Sequence, residues 1–238
     1  MAKSSISDSR AQADPVEAEI LRERRESDKR LPTALNRLAR NIAACRICRD
    51  NPLKAPLPHE PRPVVTLSGT ARVLVVGQAP GARVHNSGLP FNDPSGDRLR
   101  EWMAIDRQTF YDAGRVAIVP MGFCFPGYDK HKADLPPRPE CSANWHDQVF
   151  AALPEFDVML CIGAYAQNYH LPRLGYSHRR SASMTDTVSG WREFLGARTK
   201  VFVLPHPSWR NTGWLKKHAW FEADLLPVLR SEIAAALK

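Results

Sequence analysis

The sequence contains no long hydrophobic run. None of its apolar stretches approaches the roughly 18 residues of a transmembrane helix. Residues 1–30 are polar and charged, without the apolar core of a signal peptide. These absences predict a cytoplasmic protein that does not use a membrane. They also predict that residues 1–30 form a mobile charged tail and residues 31–238 a folded domain.

Common nucleotide-binding loops do not account for the most conspicuous turn in the chain, Gly77-Gln78-Ala79-Pro80-Gly81. This turn is neither a GxxxxGK[ST] phosphate loop nor a GxGxxG fingerprint. It follows a short β-branched run at 72–76, which reads as a buried strand of a parallel sheet. The loop at the carboxyl end of such a strand is where open α/β sheets bind ligands.

The charge balance is basic, with a formal net charge of +8 over 238 residues and a pI of about 9.5. A basic surface suits a polyanionic partner such as nucleic acid or an acidic membrane surface, although basicity alone does not establish one. The hydrophobic content of 43% is enough for one domain with a sizeable core.

Strand and helix patterns alternate along the chain. Apolar runs predict strands at about 72–77, 116–119, 157–162 and 200–204, with helices between and around them. Five prolines within residues 49–70 predict an extended crossing segment. Alternation of this kind predicts an α/β fold with a parallel sheet covered on both faces.

Four of the five cysteines form two pairs that suit a metal site. Cys45 and Cys48 make a CxxC at the end of a predicted helix, and Cys124 and Cys141 flank a proline-rich loop. Four thiolates bind either zinc or an iron–sulfur cluster, and spacing does not distinguish the two. Cys161 lies in an apolar strand and is predicted to be a core residue.

The order of these segments resembles the uracil-DNA glycosylase superfamily, and most closely its iron–sulfur branch, often called family four. The resemblance runs from about Leu35 to the C-terminus. It rests on six features in sequence: Cys45-x-x-Cys48, residues 77–81, Gly88-Leu89-Pro90-Phe91, Ser95-Gly96, the Cys124 and Cys141 pair, and His206-Pro207-Ser208.

The resemblance implies a three-layer α/β/α sandwich around a four-stranded parallel sheet. It implies a structural four-iron, four-sulfur cluster on Cys45, Cys48, Cys124 and Cys141, with zinc as the less favoured occupant. The implied function is monofunctional excision of uracil, or a related deaminated base, from DNA, by a protein that we expect to be a monomer.

The chemistry of base excision suggests roles for the residues of these motifs. A flipped base needs an aromatic face, for which Phe91 is the candidate unless it is a core aromatic. The departing base needs a hydrogen-bond donor, for which His206 is the candidate. Other expected substrate contacts are the backbone of the first loop (Gly77, Ala79, Pro80, Gly81), a phosphate contact at Ser208, and a wedge formed by Trp209 with Arg210, unless Trp209 packs on the sheet.

The chain departs from the family pattern at two places. Many relatives carry an acid at the position of Gln78 or of Ala79, and neither residue ionises. Asp93 is the predicted catalytic replacement, and it also suits a helix N-cap. Relatives place a base-reading asparagine where this chain has Pro120, so that Met121 and Gly122 would offer only backbone groups.

These departures keep two other functions open. One is a non-catalytic module of the same fold that binds damaged or single-stranded DNA. The other, less favoured, is a zinc-stabilised α/β protein that acts on a small nucleotide. If the protein is a glycosylase, the missing asparagine leaves hypoxanthine and xanthine as possible substrates beside uracil.

Overall fold

Four parallel strands form the centre of the structure, a computed structural model that describes residues 14–177 and 183–238. The strands are β1 (Val73–Val76), β2 (Val116–Ile118), β3 (Val158–Ile162) and β4 (Lys200–Leu204), and their order in the sheet is β2-β1-β3-β4. Every residue of β1, β2 and β3 is buried, as expected for strands covered on both faces. The predicted sheet is confirmed.

Helices flank the sheet and complete the predicted α/β/α sandwich. They are α1 (Pro15–Lys29), α2 (Thr33–Ala43), α3 (Ile47–Asp50), α4 (Ala82–Ser87), α5 (Pro94–Met103), α6 (Arg107–Tyr111), α7 (Pro139–Cys141), α8 (Asp147–Ala152), α9 (Gly163–Arg173), α10 (Met184–Ser189), α11 (Thr212–Lys217) and α12 (Leu226–Ala236). Shorter π or 3-10 turns occupy 142–146, 191–195, 209–211 and 221–225. Within the described ranges, no helix is long and apolar enough to cross a bilayer.

The carboxyl ends of β3 and β4 are tied together by Gln167 of α9. Its side-chain amide donates to the carbonyl of Cys161 at 3.2 Å and to that of Leu204 at 2.9 Å. Gln167 and Cys161 are both buried, so each bond satisfies a carbonyl that water does not reach. This anchor determines where the chain leaves β4 toward His206. The prediction that Cys161 is a core residue is confirmed by its complete burial.

The N-terminal segment differs from the predicted mobile tail. Residues 15–29 form α1, whose Ile20 is buried in the main core and whose first turn is capped by the Asp14 side chain. Local sequence did not predict this packing because α1 buries one apolar residue and is held by polar contacts to distant residues. The part of the predicted tail before residue 14 lies outside the described residues.

The long loop predicted between β1 and Phe91 contains a helix. Helix α4 ends at Gly88, which has a φ of +76° and serves as its left-handed C-cap. The Arg62 guanidinium donates to the carbonyls of His85 and Asn86 at 2.8 and 2.6 Å, so it satisfies two carbonyls near the end of this helix. Arg62 therefore links the predicted extended segment 49–70, which is non-helical from residue 51 onward, to the chain that leads into Phe91.

Candidate active site

A pocket of about 80 Å³ opens at the carboxyl ends of the strands. The predicted residues Gln78, Phe91, Asp93 and His206 all line it, although they come from three separate parts of the chain. The rest of the lining is formed by the first loop, by five apolar residues and by two polar residues: Gly77, Ala79, Pro80 and Gly81; Val64, Val84, Pro90, Ile118 and Pro120; and Ser95 and Asp134. The carboxyl edge of a parallel sheet thus gathers the residues that the sequence motifs contain.

Two backbone hydrogen bonds hold the loop after β1 against the chain after β2. Met121 N–H donates to the Gly77 carbonyl and Gly122 N–H to the Gln78 carbonyl, each at 2.9 Å. The expectation that Met121 and Gly122 offer these groups to a base is therefore wrong, because both N–H groups are already bonded. The Met121 side chain is buried in the core and does not line the pocket.

Phe91 forms one wall of the pocket. Its backbone adopts a φ of +53°, a left-handed conformation that is rare for an aromatic residue. Two glycines make room for this arrangement: a Cβ on Gly77 would lie 3.4 Å from the tip of the Phe91 ring, and one on Gly96 would lie 1.7 Å from the Phe91 carbonyl oxygen. The ring also packs edge-on against Phe110 at 6.1 Å, so Phe91 is both a pocket wall and a neighbour of the core.

Helix α1 supports that wall from outside the pocket. The Arg24 guanidinium donates to the carbonyl of Gly88 at 3.1 Å and to that of Val65 at 2.9 Å. Glu17 accepts from the Asn92 side-chain amide at 2.7 Å, immediately after Phe91. The N-terminal helix therefore positions both ends of the segment 88–92.

His206 is held in one tautomer by its own loop. Its Nδ1 accepts from the Ser208 N–H at 3.2 Å, and its carbonyl accepts from the Asn211 side chain at 2.7 Å. Burial lowers the pKa of His206; Arg210 lowers it further, while Asp93 opposes the shift. A neutral imidazole that accepts at Nδ1 carries its proton on Nε2. His206 is thus prepared to donate one hydrogen bond from Nε2.

Asp93 is the N-cap of α5, which confirms the prediction of a capping role. Its Oδ1 accepts from Ser95 N–H at 2.8 Å, from Ser95 Oγ at 2.5 Å and from Gly96 N–H at 3.0 Å. One oxygen of Asp93 is therefore fully engaged by three donors within the helix cap.

Asp134 is a pocket residue that sequence reasoning missed. It lies in the proline-rich loop between Cys124 and Cys141, and a Cβ on Gly81 would lie 3.5 Å from its Oδ2. Its neighbours in sequence, Ala133 and Leu135, form no recognisable motif. The approach of Asp134 to Gly81 depends on how the loop folds back over the pocket, so no short-range sequence pattern predicts it.

The loop that follows His206 carries the residues predicted to meet DNA. Trp209 is 76% exposed, which excludes the alternative that it packs on the sheet, and the Arg210 guanidinium lies 5.9 Å from its ring centre. The Ser208 carbonyl accepts from Arg98 at 3.0 Å, so this loop is braced against α5. The role of Trp209 and Arg210 as a wedge stays a prediction.

A model of the uracil DNA glycosylase superfamily matches residues 65–230. The chain belongs to this superfamily. The match covers the four strands, the loop after β1, the wall at Phe91 and the His206 loop. Membership indicates a glycosylase-type hydrolase whose partner is DNA.

In this member of the uracil DNA glycosylase superfamily, the four cysteines predicted to bind a cluster lie on one side of the fold. Cys48 and Cys124 pack together with Leu57 in a small buried group. Two sulfurs accept hydrogen bonds: Cys45 Sγ from the Trp145 indole at 3.3 Å, and Cys141 Sγ from Phe123 N–H at 3.4 Å. Across residues 14–177 and 183–238, no three His, Cys, Asp or Glu side chains are arranged to hold a metal ion as they stand.

The chemistry of these four thiols fits a soft-metal group. A hydrogen bond between the Cys48 and Cys141 sulfurs lowers the pKa of Cys48 to about 7 and raises that of Cys141. Burial raises the pKa of Cys124 to about 12, and the charges of Cys48 and Cys45 act in the same direction. Cys141 and Cys124, whose ionisation the neighbouring thiols and burial oppose, would be stabilised as thiolates by a bound cation.

Proposed function

We propose that the protein is a monofunctional DNA glycosylase of base-excision repair that hydrolyses the N-glycosidic bond of uracil, or of a related deaminated base. The observation that carries the proposal is that one pocket contains both an aromatic wall, Phe91, and a hydrogen-bond donor whose tautomer is fixed, His206. An aromatic face for stacking and a donor for the departing base are the two requirements of base excision.

The proposed role of His206 follows from the charge that develops during cleavage. As the glycosidic bond breaks, positive charge accumulates on the sugar and negative charge on the base. A neutral Nε2–H that is already oriented stabilises the base anion without reorganising in the transition state. The lowered pKa of His206 supports this role, because the imidazole stays neutral at physiological pH and the bond to Ser208 N–H keeps Nδ1 unprotonated.

Base recognition is assigned to Gln78 in this proposal. Its side chain lines the pocket and, within the described part of the chain, makes no hydrogen bond of its own. An amide offers both a donor and an acceptor, which suits the alternating groups on the Watson–Crick edge of uracil. The pocket-lining Pro120 has no side-chain donor, so we expect the choice among deaminated bases to depend on Gln78.

The experiment that tests the proposal is release of base from oligonucleotides that contain uracil, hypoxanthine or xanthine, in single and double strands. Alkali converts each abasic site to a strand break. We expect cleavage for at least one substrate by the purified protein. His206→Ala is expected to lower the single-turnover rate by about 100- to 1000-fold, the usual cost of removing such a donor. His131→Ala, a change at an exposed histidine, is the matched control and is expected to retain the rate.

The alternative function is a DNA-binding module of the same fold without catalysis. It is favoured by the lack of an acid at Gln78 and Ala79 and by the engagement of Asp93 Oδ1 in its helix cap. It predicts salt-sensitive binding to damaged or single-stranded DNA with base release no faster than background. Absence of cleavage on every substrate of the panel would refute the enzyme, and salt-sensitive DNA binding beside it would establish this alternative.

A structural four-iron, four-sulfur cluster on Cys45, Cys48, Cys124 and Cys141 is part of the proposal. Its support is the soft sulfur donor set and the two N–H groups that already donate to sulfur. Such a cluster would fix the two chain segments relative to each other. Protein purified without oxygen is expected to be brown and to contain iron and acid-labile sulfide. Colourless protein with stoichiometric zinc would contradict the cluster and favour the other occupant.

A further inference from the structure

A small hairpin brings Asp134 over the pocket. Leu135 N–H donates to the Gly127 carbonyl and Asp129 N–H to the Ala133 carbonyl, at 2.9 and 2.8 Å. The turn is closed by Asp129 Oδ1, which accepts from two backbone N–H groups, those of His131 and Ala133. These bonds define the backbone on both sides of Asp134, so the position of its side chain at Gly81 is a property of the folded hairpin.

Asp134 and Asp93 are the two carboxylates of the pocket, and their bonding differs. Asp93 Oδ1 accepts three hydrogen bonds. The Asp134 carboxylate accepts no hydrogen bond and forms no ion pair with any residue of the described ranges. Lone pairs that no protein group occupies are available to a water molecule or to a substrate.

The charges around Asp134 adjust its basicity. Partial desolvation beside the pocket and the nearby charge of Asp93 raise the pKa of Asp134, while Arg210, from the loop after β4, lowers it. His206 faces the same cavity and is neutral. A carboxylate with a raised pKa is a stronger base than an ordinary one, and it accepts a proton more readily in a transition state.

The place of Asp134 suits the sugar and not the base. All four residues line the pocket, and Phe91, Gln78 and His206 are partly buried, whereas Asp134 is exposed. A base inserted among the partly buried residues would leave its C1′ atom and the glycosidic bond on the exposed side of the pocket. Asp134 lies on that side, where a group that acts on the water attacking C1′ is needed.

We propose that Asp134 is a catalytic residue of the glycosylase reaction, and that its carboxylate binds and deprotonates the attacking water. This inference rests on the proposed function. The water oxygen forms a bond to C1′ as the bond from C1′ to the base nitrogen breaks. The bonding electron pair leaves with the base as an anion that His206 stabilises. The proton of the water passes to Asp134, which returns it to solvent.

The test compares two isosteric variants of the same hairpin, Asp134→Asn and Asp129→Asn. Each removes one negative charge, and in Asp129→Asn the amide oxygen of the new side chain can still accept the turn's hydrogen bonds. Single-turnover base release is measured from pH 4 to 9, beside DNA affinity and thermal unfolding. Asp134→Asn is expected to be at least about 100-fold slower, the usual contribution of a general base. It should bind DNA within about threefold of the unmodified protein, whereas Asp129→Asn should keep its rate within the same factor.

The pH profile separates a catalytic role from a structural one. The base must be ionised, so the rate of the unmodified protein should fall toward acid as Asp134 becomes protonated, and Asp134→Asn should lose this dependence. Asp134→Glu provides a second variant that is expected to keep the acid dependence at a reduced rate.

Asp134→Asn at the rate of the unmodified protein, or with its acid dependence intact, would overturn the inference and leave the proposed function standing. Absence of base release by the unmodified protein would overturn both.

Discussion

Two cavities lie at opposite ends of the same sheet. The pocket at the carboxyl ends measures about 80 Å³, whereas a cleft of about 990 Å³ lies where the chain enters β1 and β2, between α1 and residues 68–70 and 108–114. Although the cleft is far larger, the family motifs lie at the small pocket. The volume of a cavity alone would therefore have pointed to the wrong candidate site.

Both cavities contain polar side chains that form hydrogen bonds within the fold, and in the cleft Glu23, Arg30 and Gln108 make no side-chain hydrogen bond within the described ranges. In the cleft, Ser68 Oγ accepts from the N–H groups of Thr70 and Ala71, the Tyr111 hydroxyl donates to the Pro90 carbonyl, and Asp112 Oδ1 accepts from Gly114 N–H. In the pocket, the Gln78 amide and the Asp134 carboxylate have no such partners within the described ranges. Polar groups that the fold has not used internally are those that remain for a substrate.

Among changes that probe the pocket wall and the cleft, Gly96→Ala is expected to have the largest effect, because it displaces the wall. The added Cβ would lie 1.7 Å from the Phe91 carbonyl oxygen, so the backbone of the wall must move. We expect a loss of about 1–3 kcal/mol of unfolding free energy, typical of overpacking. Base release should fall about 100-fold, because a misplacement of about 1 Å has that cost.

Denaturant unfolding and single-turnover base release measure the two effects of Gly96→Ala. Gly196→Ala is the control, because a Cβ there has no neighbour within 4 Å. If Gly96→Ala matched the unmodified protein in both measurements, the close packing of Gly96 on the Phe91 segment would not matter to the pocket.

A smaller effect is expected for Arg24→Ala, which removes the link between α1 and the wall. The guanidinium is bonded to the carbonyls of Gly88 and Val65, and a hydrogen bond to a charged group contributes about 1.5–3 kcal/mol. We expect a stability loss of about that size and base release about tenfold slower, with the change visible in chemical denaturation and in kinetics.

Arg22→Ala supplies the comparison for Arg24, since Arg22 is on the same helix and its pairing with Glu19 is exposed. An Arg24→Ala variant as stable and active as Arg22→Ala would show that α1 is not needed to position the wall.

The smallest effect is expected for Asp112→Ala in the large cleft. Asp112 pairs with Arg115 at 3.4 Å, and both side chains are about half exposed. Exposed pairs of this kind contribute about 0–1 kcal/mol, and the lost bond from Gly114 N–H adds about 0.5–1.5 kcal/mol, so thermal unfolding should shift modestly and base release should not change. A clear loss of base release would mean that the cleft takes part in the reaction. The assignment of the active site to the smaller of the two cavities alone would then be wrong.

The strands, the helix cap at Asp93 and the gathering of three separate motifs were predictable. Local patterns specify them: β-branched runs for the strands, an Asp-Pro-Ser sequence for the cap, and parallel strands whose carboxyl ends share one edge. Packing of α1 and approach of Asp134 to Gly81 were not predictable in this way. Both depend on contacts between residues more than 50 positions apart, such as Arg24 with Gly88 and Asp134 with Gly81.

The backbone roles expected of Met121 and Gly122 failed for a related reason. A sequence shows which donors a segment has, but it does not show which donors the fold has already used. The carbonyls of Gly77 and Gln78 accept those two N–H groups, and this pairing exists only once β1 and β2 lie side by side.

Read alone, the chain specifies its sheet, its family and the identity of most pocket residues, because each of these follows from short-range patterns and their order. The tertiary structure determined which polar groups form hydrogen bonds within the protein and which stay available to a substrate. That distinction arises from contacts between distant segments: the N–H groups of Met121 and Gly122 bond to the loop after β1, whereas the Asp134 carboxylate reaches the pocket with no hydrogen-bond partner within the described ranges.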